Sequence, residues 1–265
     1  MTGKQLIYNH TDIYYRVFGK GQPVVIIHGF GEDGEIWNDV VKMLEDNFLV
    51  IVPDLPGSGK SSLLENGDID EYSLVINAIL KNESIISPII ILGHSMGGYV
   101  SLAFAEKFTE KVKALGLLHS TAYADTVEKK LARTKSINFI RDNGSEIFLK
   151  TSIPGLFTAR FNETYSSKVK NLIEHNKSIS TEALIQYYEA MIKRPVRTEV
   201  LKQSAFPVLF VIGIHDQAVP YESSLQQLYL ASVTHITILN ETAHMGMMEE
   251  PTLFNEAIKN FILSL

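Results

Sequence analysis

The chain has 265 residues, 45% hydrophobic and 20% charged, which is enough to bury a large core in one α/β domain with an insertion. Its formal net charge of −6 is not concentrated in any block, which argues against nucleic acid or an anionic membrane as the main partner. Cysteine is absent, which excludes disulfides, thiolate catalysis and cysteine-ligated metals.

The N-terminal residues alternate apolar and polar side chains. They lack the apolar stretch of a signal peptide, so we expect no secretion signal in this chain. The longest apolar run, residues 205–214, is too short to span a bilayer. The expected location is therefore the cytoplasm, and the expected partner is a small molecule.

The first part of the chain alternates short apolar runs with segments of helical periodicity. An Asn9-His10 turn joins the first two predicted strands into a hairpin. Uniformly apolar runs are typical of strands buried on both faces of a parallel sheet. The pattern predicts strands at residues 5–8, 11–18, 24–27, 48–52, 89–92 and 114–118, and helices at 35–46, 72–82 and from Ser95 to about 108.

From residue 121 to about 204 no buried strand is predicted, and helical periodicity takes over. The alternation then resumes and predicts a mostly parallel sheet with helices on both faces. We therefore predict an α/β core made of residues 1–120 and 205–265, with residues 121–204 as a helical cap over the carboxyl edge of the sheet. The helices predicted in the cap are 127–143, 145–152, 165–177 and 181–193, and the later elements are strands 208–212 and 235–239, a helix at 223–230 and a last helix from Pro251.

Between an apolar strand and an amphipathic helix stands Gly93-His94-Ser95-Met96-Gly97, a G-x-S-x-G pattern in the context of a nucleophile turn. Ser95 would occupy the apex of this turn. Glycines are expected on both sides of Ser95 because a Cβ would collide there. The following helix N-terminus provides unpaired N–H groups and a partial positive charge.

A serine hydroxyl becomes a good nucleophile only when a neighbouring base takes its proton. Among eight histidines, His244 follows the last predicted strand at the same sheet edge as Ser95 and is the predicted base. Asp216, just past another buried strand, is the predicted acid that orients His244. Asp125 is a weaker candidate for this acid, since a helix N-cap role explains it more simply.

A tetrahedral intermediate needs two N–H donors for its oxyanion. The backbone N–H of Met96 is one predicted donor, and that of Phe30 in the His28-Gly29-Phe30-Gly31 loop is the other. His28 and His94 adjoin glycines and are expected to support loop geometry.

The stretch Gly57-Ser58-Gly59-Lys60-Ser61 resembles the end of a phosphate-binding loop, but Asp54 stands where that motif requires its first glycine. Nucleotide binding is therefore not expected, and Asp54 is expected to brace the turn. The metalloprotease and dinucleotide motifs are also missing from the sequence, so we predict no metal and no cofactor.

Taken together, these motifs in this order resemble the α/β-hydrolase superfamily over essentially the full chain. The resemblance implies an eight-stranded sheet with antiparallel early strands, a helical cap, and a Ser95–Asp216–His244 triad in the chain order of that fold. Capped carboxylesterases and enol-lactone hydrolases look nearest, on the basis of the cap opening at residues 122–130. Haloalkane dehalogenases and epoxide hydrolases differ, because they carry aspartate at the position of Ser95.

The predicted function is hydrolysis of small to medium carboxylic esters, including lactones or thioesters, through an acyl-enzyme on Ser95. Two alternatives stay open: another triad-dependent reaction, such as C–C bond hydrolysis or cofactor-free peroxidation, and a ligand receptor with low turnover. The oligomeric state is not predicted. Some apolar cap residues are expected to line an acyl pocket while most form the core of the cap; the candidates are Phe139, Ile147, Phe148, Leu156, Phe157, Tyr187, Tyr188 and Met191.

Overall fold

The structure is a computed structural model and describes residues 2–265. Within this range eight strands form one sheet in the order β1-β2-β4-β3-β5-β6-β7-β8. The first two strands and the β2–β4 pair are antiparallel, and all other neighbours are parallel. The predicted mostly parallel, eight-stranded sheet is confirmed. Its strands are β1 (Thr2–Tyr8), β2 (Thr11–Phe18), β3 (Gln22–Ile27), β4 (Phe48–Pro53), β5 (Ile89–His94), β6 (Val112–Leu118), β7 (Val208–Gly213) and β8 (Thr234–Leu239).

The central strands are buried on both faces, which explains why their sequences are uniformly apolar. In β3, Val24 and Ile26 belong to one hydrophobic cluster, whereas Val25 and Ile27 belong to the other. This division follows from the two-residue period of a strand, which sends alternate side chains to opposite faces. The core therefore consists of two apolar layers separated by the sheet.

Helices cover both faces and also fill the interval between β6 and β7. Those between β6 and β7 (α4–α9) form the helical insertion. The helices are α1 (Asn38–Leu44), α2 (Ile69–Asn82), α3 (Met96–Lys107), α4 (Val127–Asn143), α5 (Ser145–Ser152), α6 (Ala159–Thr164), α7 (Ser166–Asn176), α8 (Thr181–Lys193), α9 (Thr198–Lys202), α10 (Tyr221–Leu225), α11 (Gly246–Glu249) and α12 (Pro251–Leu263). The cap boundaries at residues 121 and 204 stay a prediction.

Some helix boundaries differ from the predictions, most of all at 223–230, where α10 covers only Tyr221–Leu225. The single helix predicted at 35–46 is a 3₁₀ turn, Gly34–Trp37, followed by α1. The Asp33 side chain accepts a hydrogen bond from the Glu35 N–H at the start of this 3₁₀ turn. A 3₁₀ turn is wound more tightly than a turn of α-helix. The short helices α6, α9 and α11 were not predicted, because a few residues carry too little periodicity to detect.

Within residues 2–265 no helix is both long enough and apolar enough to cross a bilayer.

Candidate active site

Ser95 connects the end of β5 to the start of α3 in a strained backbone conformation. Its φ of 50° and ψ of −114° are unfavourable for a residue with a side chain. Two bonds hold it there, since its N–H donates to the Leu118 carbonyl at 2.9 Å and its own carbonyl accepts from Ser120 Oγ at 2.7 Å. Strain that surrounding contacts maintain in this way is typical of functional sites.

The glycines around Ser95 are required by close packing of backbone on backbone. A Cβ on Gly93 would overlap the Gly97 carbonyl, and a Cβ on Gly97 would overlap the Ile27 carbonyl. A Cβ on Gly98 would overlap the Ser120 side chain. The glycines of the G-x-S-x-G pattern are therefore needed because the turn has no room for a Cβ at their positions.

His244 and Asp216 form a buried hydrogen-bonded pair at the carboxyl edge of the sheet. The His244 Nδ1 lies 2.8 Å from Asp216 Oδ2, and Asp216 Oδ1 accepts the N–H groups of Ala218 and Val219, both at 2.8 Å. Burial raises the pKa of Asp216, but its histidine neighbours outweigh that effect and hold the pKa well below its ordinary value. Asp216 is therefore a carboxylate that fixes the tautomer of His244.

A second histidine, His119, also contacts Asp216 and was missed by the sequence prediction. Its Nδ1 lies 3.3 Å from Asp216 Oδ2, and its buried Nε2 has no hydrogen-bond partner within residues 2–265. Burial lowers the pKa of His119 to about 4 against the opposing effect of Asp216. His119 is therefore a neutral imidazole that donates from Nδ1. It directly follows β6, so the positional argument used for His244 could have found it.

Glu32 and His94 form a second buried pair beside the first. The ring of His94 has its Nδ1 3.1 Å from Glu32 Oε2 and its Nε2 3.0 Å from the His244 carbonyl oxygen. Both partners are acceptors, so the ring donates twice and is an imidazolium. Burial lowers the pKa of His94, but Glu32 outweighs it and raises the pKa above its ordinary value.

The Glu32–His94 pair connects His244 to the loop after β3. The Glu32 carboxylate also accepts the Gly29 N–H at 2.7 Å. Burial raises the pKa of Glu32, but His94 and Gly29 outweigh it and keep the pKa below its ordinary value. His94 therefore supports the loop after β3, as predicted, through its bond to Glu32. The sequence did not reveal Glu32, because Glu32 and His94 are far apart in the chain and meet only when it folds.

The N–H groups predicted to bind an oxyanion have no acceptor in the structure. Within residues 2–265, neither the Phe30 N–H nor the Met96 N–H donates a hydrogen bond to another group. Met96 is the first residue of α3, where N–H groups lack helical partners. Both N–H groups are therefore free; Met96 directly follows Ser95 in the chain, and Phe30 lines the same cavity as Ser95.

Ser95 and His244 line one cavity of about 240 Å³. Ser95 Oγ and His244 are not hydrogen-bonded to each other in the structure. Helices α4 and α8 supply Lys129, Ala132, Arg133, Ser136, Tyr188 and Met191 to the lining. The lining residues are Phe30, Glu32, His94, Ser95, Tyr99, Lys129, Ala132, Arg133, Ser136, Leu156, Tyr188, Met191, Ala218 and His244.

The apolar cap residues divide into three groups. Leu156, Tyr188 and Met191 line the cavity. Three others, Phe148, Phe157 and Tyr187, are buried in the core clusters, and Phe139 and Ile147 are partly exposed.

Asp125 does not cap α4, so that expectation was wrong. The N-cap residue of α4 is Thr126, whose side chain accepts a hydrogen bond from the Lys129 N–H. Asp125 instead lies 2.6 Å from Arg133 Nε and 2.9 Å from Arg194 Nη2, and it has no contact with His244. Two guanidinium groups attract the carboxylate more strongly than a helix N-terminus does.

Asp54 braces the turn after β4, as expected. Its carboxylate accepts the N–H groups of Gly34 at 3.0 Å and Lys60 at 2.9 Å.

One side-chain group within residues 2–265 has a spacing that suits a metal ion. Donor atoms of His119, Asp216 and His244 lie within 4.8 Å of one another. The two Nδ1 atoms are within hydrogen-bond distance of the Asp216 carboxylate. A hydrogen-bonded network therefore accounts for the cluster.

Comparison with known proteins agrees with this geometry. Residues 22–134 match a family model described as the alpha/beta hydrolase fold. Lipase 3 of a Moraxella species is 25% identical over 94% of this chain and 78% of its own length. The 2-hydroxy-6-oxo-6-(2'-aminophenyl)hexa-2,4-dienoic acid hydrolase of Metapseudomonas resinovorans is 26% identical over 94% of this chain and 86% of its own. A thermophilic esterase from Thermogutta terrifontis superposes with a TM-score of 0.92 at 24% identity, covering 100% of this chain and 99% of that one.

Proposed function

We propose that this chain, which has the α/β-hydrolase fold, is a serine hydrolase that cleaves small to medium carboxylic esters through an acyl-enzyme on Ser95. The observation that carries the proposal is a serine on a strained turn sharing one cavity with a histidine that is bonded to a buried carboxylate. The proposed triad is Ser95, His244 and Asp216, and the proposed oxyanion donors are the N–H groups of Phe30 and Met96.

The reaction begins when His244 Nε2 takes the proton of Ser95 Oγ and the oxygen attacks the acyl carbon. The negative charge that develops on the carbonyl oxygen is stabilised by the Phe30 and Met96 N–H groups. Asp216 holds the His244 ring in the tautomer whose Nε2 is free to accept a proton, and it stabilises the imidazolium.

Collapse of the tetrahedral intermediate expels the alcohol, which receives its proton from His244. A water molecule then enters, and His244 takes one of its protons while the oxygen attacks the acyl carbon. The second intermediate releases the carboxylic acid, and the proton returns to Ser95 Oγ.

We propose that residues 121–204 act as the cap of the substrate cavity. Helices α4 and α8 belong to this segment and supply Lys129, Arg133, Tyr188 and Met191 to the lining. A substrate bound at Ser95 would then contact the cap with the part of the molecule that does not react.

The test is steady-state hydrolysis of p-nitrophenyl esters from acetate to palmitate. We expect turnover in the wild type and a loss of about 10³-fold or more in Ser95→Ala. Ser101→Ala is the matched control, because its hydroxyl lies on the same helix and bonds the Gly97 carbonyl outside the cavity. Undiminished turnover in Ser95→Ala would refute the proposal.

A second candidate is hydrolysis of a C–C bond, favoured by the likeness to the hexadienoic acid hydrolase. The same serine and histidine would serve that reaction. Cleavage of a vinylogous diketone with no turnover of any p-nitrophenyl ester would favour this candidate over the first.

A further inference from the structure

The cavity around Ser95 contains two cationic side chains from the insertion. Lys129 and Arg133 lie four residues apart on α4, on one face of the helix, and both line the cavity together with Ser95 and His244. Ester hydrolysis through the proposed triad uses neither of them. We therefore expect these two cations to contact a part of the substrate that does not take part in the reaction.

The charges in this region do not balance. Asp125 is the carboxylate near these cations, and it lies between Arg133 and Arg194. Lys129 contacts the Ala218 carbonyl oxygen and has no carboxylate within ion-pair distance among residues 2–265. Asp125 is thus shared by two guanidinium groups, and the charge of Lys129 has no carboxylate partner within residues 2–265.

Glu32 is the acidic group that lines the cavity, and it faces the His94 imidazolium. Asp216 lies behind His244 and is not part of the cavity lining. Neither carboxylate forms an ion pair with Lys129 or Arg133 within residues 2–265.

The guanidinium of Arg133 retains free donors. Its Nε bonds Asp125, whereas Nη1 and Nη2 form no hydrogen bond with any group of residues 2–265. The guanidinium stands over the Tyr188 ring, 5.4 Å from its centroid, and Tyr188 also lines the cavity. A planar group with two free amino groups fits a carboxylate, which can accept from both at once.

The excess positive charge also acts on a neighbouring phenol. Burial raises the pKa of Tyr99, but Arg194, Lys129 and Arg133 outweigh burial and hold the pKa below its ordinary value. Tyr99 lines the same cavity. The cations beside the cavity therefore act on one of the groups that line it.

We propose that the preferred substrate is an ester that carries a second group, a carboxylate, which binds to the free amino groups of Arg133 and to Lys129. This inference rests on the proposed ester hydrolysis. The carboxylate belongs either to the acyl chain, as in a monoester of a dicarboxylic acid, or to the leaving alcohol.

Two pairs of esters that differ by one carboxylate test the proposal and distinguish the two sources. Monoethyl adipate and ethyl hexanoate form the acyl pair, and 4-acetoxybenzoate and phenyl acetate form the alcohol pair. Hydrolysis is followed by titration of released acid. We expect kcat/KM to be about tenfold or more higher for the anionic member of one pair, the scale of a hydrogen bond to a charged group.

Lys129→Met is the test variant, and Lys130→Met, the next residue on α4 and not part of the cavity lining, is its control. We expect Lys129→Met to lower the anionic-to-neutral ratio of kcat/KM several-fold through KM, and Lys130→Met to leave the ratio unchanged. Added salt should raise KM for the anionic ester more than for the neutral one.

Equal kcat/KM within both pairs, or the same ratio in both lysine variants, would overturn the inference while leaving ester hydrolysis intact. If no ester is hydrolysed, the proposed function fails, and calorimetric titration of the Ser95→Ala protein with adipate decides the inference separately. Binding that Lys129→Met weakens supports the carboxylate site, and the absence of binding refutes it.

Discussion

His119 should make the protein sensitive to mild acid, and replacing it by asparagine should remove that sensitivity. The side chain is buried, and its pKa is about 4 in the folded chain against an ordinary value of 6.5. Between these values the unfolded chain binds a proton that the folded chain does not. Stability is therefore lost as the pH falls from about 6.5 to about 4.

The size of the effect follows from the two pKa values. A group with these values lowers the free energy of unfolding by about 2 kcal/mol between pH 7 and pH 5, and by about 3 kcal/mol at pH 4. Asparagine suits the site because it tolerates the left-handed backbone at φ 49°, and its amide can replace the Nδ1 donor. The lost ring lowers stability by an amount that does not depend on pH.

The assay is urea unfolding of wild type and His119→Asn at pH 7, 6 and 5. The dependence of the free energy of unfolding on urea concentration should have the same slope in every experiment. The wild type should lose about 2 kcal/mol more than the variant over this range. Phe104→Leu is the control, because Phe104 is fully buried, packs against Phe108 and not against a histidine, and does not titrate. The difference in the free energy of unfolding between this control variant and the wild type should not change with pH. Parallel pH dependences of wild type and His119→Asn would refute the reasoning.

Three further predictions concern the same site. Asp216→Asn should lower kcat on p-nitrophenyl acetate by about 10⁴-fold, because an amide does not fix the His244 tautomer; a rate near that of the wild type would remove Asp216 from the triad. Gly98→Ala should cost about 1–3 kcal/mol in urea unfolding through its overlap with Ser120, and Ser120→Gly should recover part of that loss; additive effects of the two changes would contradict the overlap. Glu32→Gln leaves a buried imidazolium without its counter-ion and should cost about 3–5 kcal/mol near pH 5.5. Glu32 stops contributing to the free energy of unfolding as the pH falls below its ordinary pKa of 4.5, and His94 stops as the pH rises above its ordinary pKa of 6.5. The loss caused by Glu32→Gln should therefore be largest near pH 5.5, and an equal loss at pH 3, 5.5 and 9 would refute the pairing.

Much of the site could be predicted because its residues occupy special positions in the chain. Ser95 stands between a strand and a helix with glycines that backbone packing requires. Asp216 and His244 follow strands at the carboxyl edge of the sheet, and the structure brings them into hydrogen-bond contact. The mostly parallel character of the sheet followed from uniformly apolar strands alternating with helices, since parallel strands need crossover connections.

The remaining features depend on contacts between distant parts of the chain. Glu32 meets His94 across 62 residues, and His119 meets Asp216 across 97. Asp125 looked like a helix cap because local sequence cannot show that Arg194 approaches it from the end of α8. Pairs of this kind have no period and no local motif, so only the folded chain reveals them.

The central claim is that Ser95 forms an acyl-enzyme, and the most direct test is to trap it. The wild type and Ser95→Ala are mixed with p-nitrophenyl acetate, quenched in acid within the first turnover, and digested for mass spectrometry. We predict one acetyl group per chain, carried on the Ser95 peptide of the wild type and absent from the variant. An acetyl group found on another residue, or hydrolysis without any acetylated Ser95, would contradict the claim.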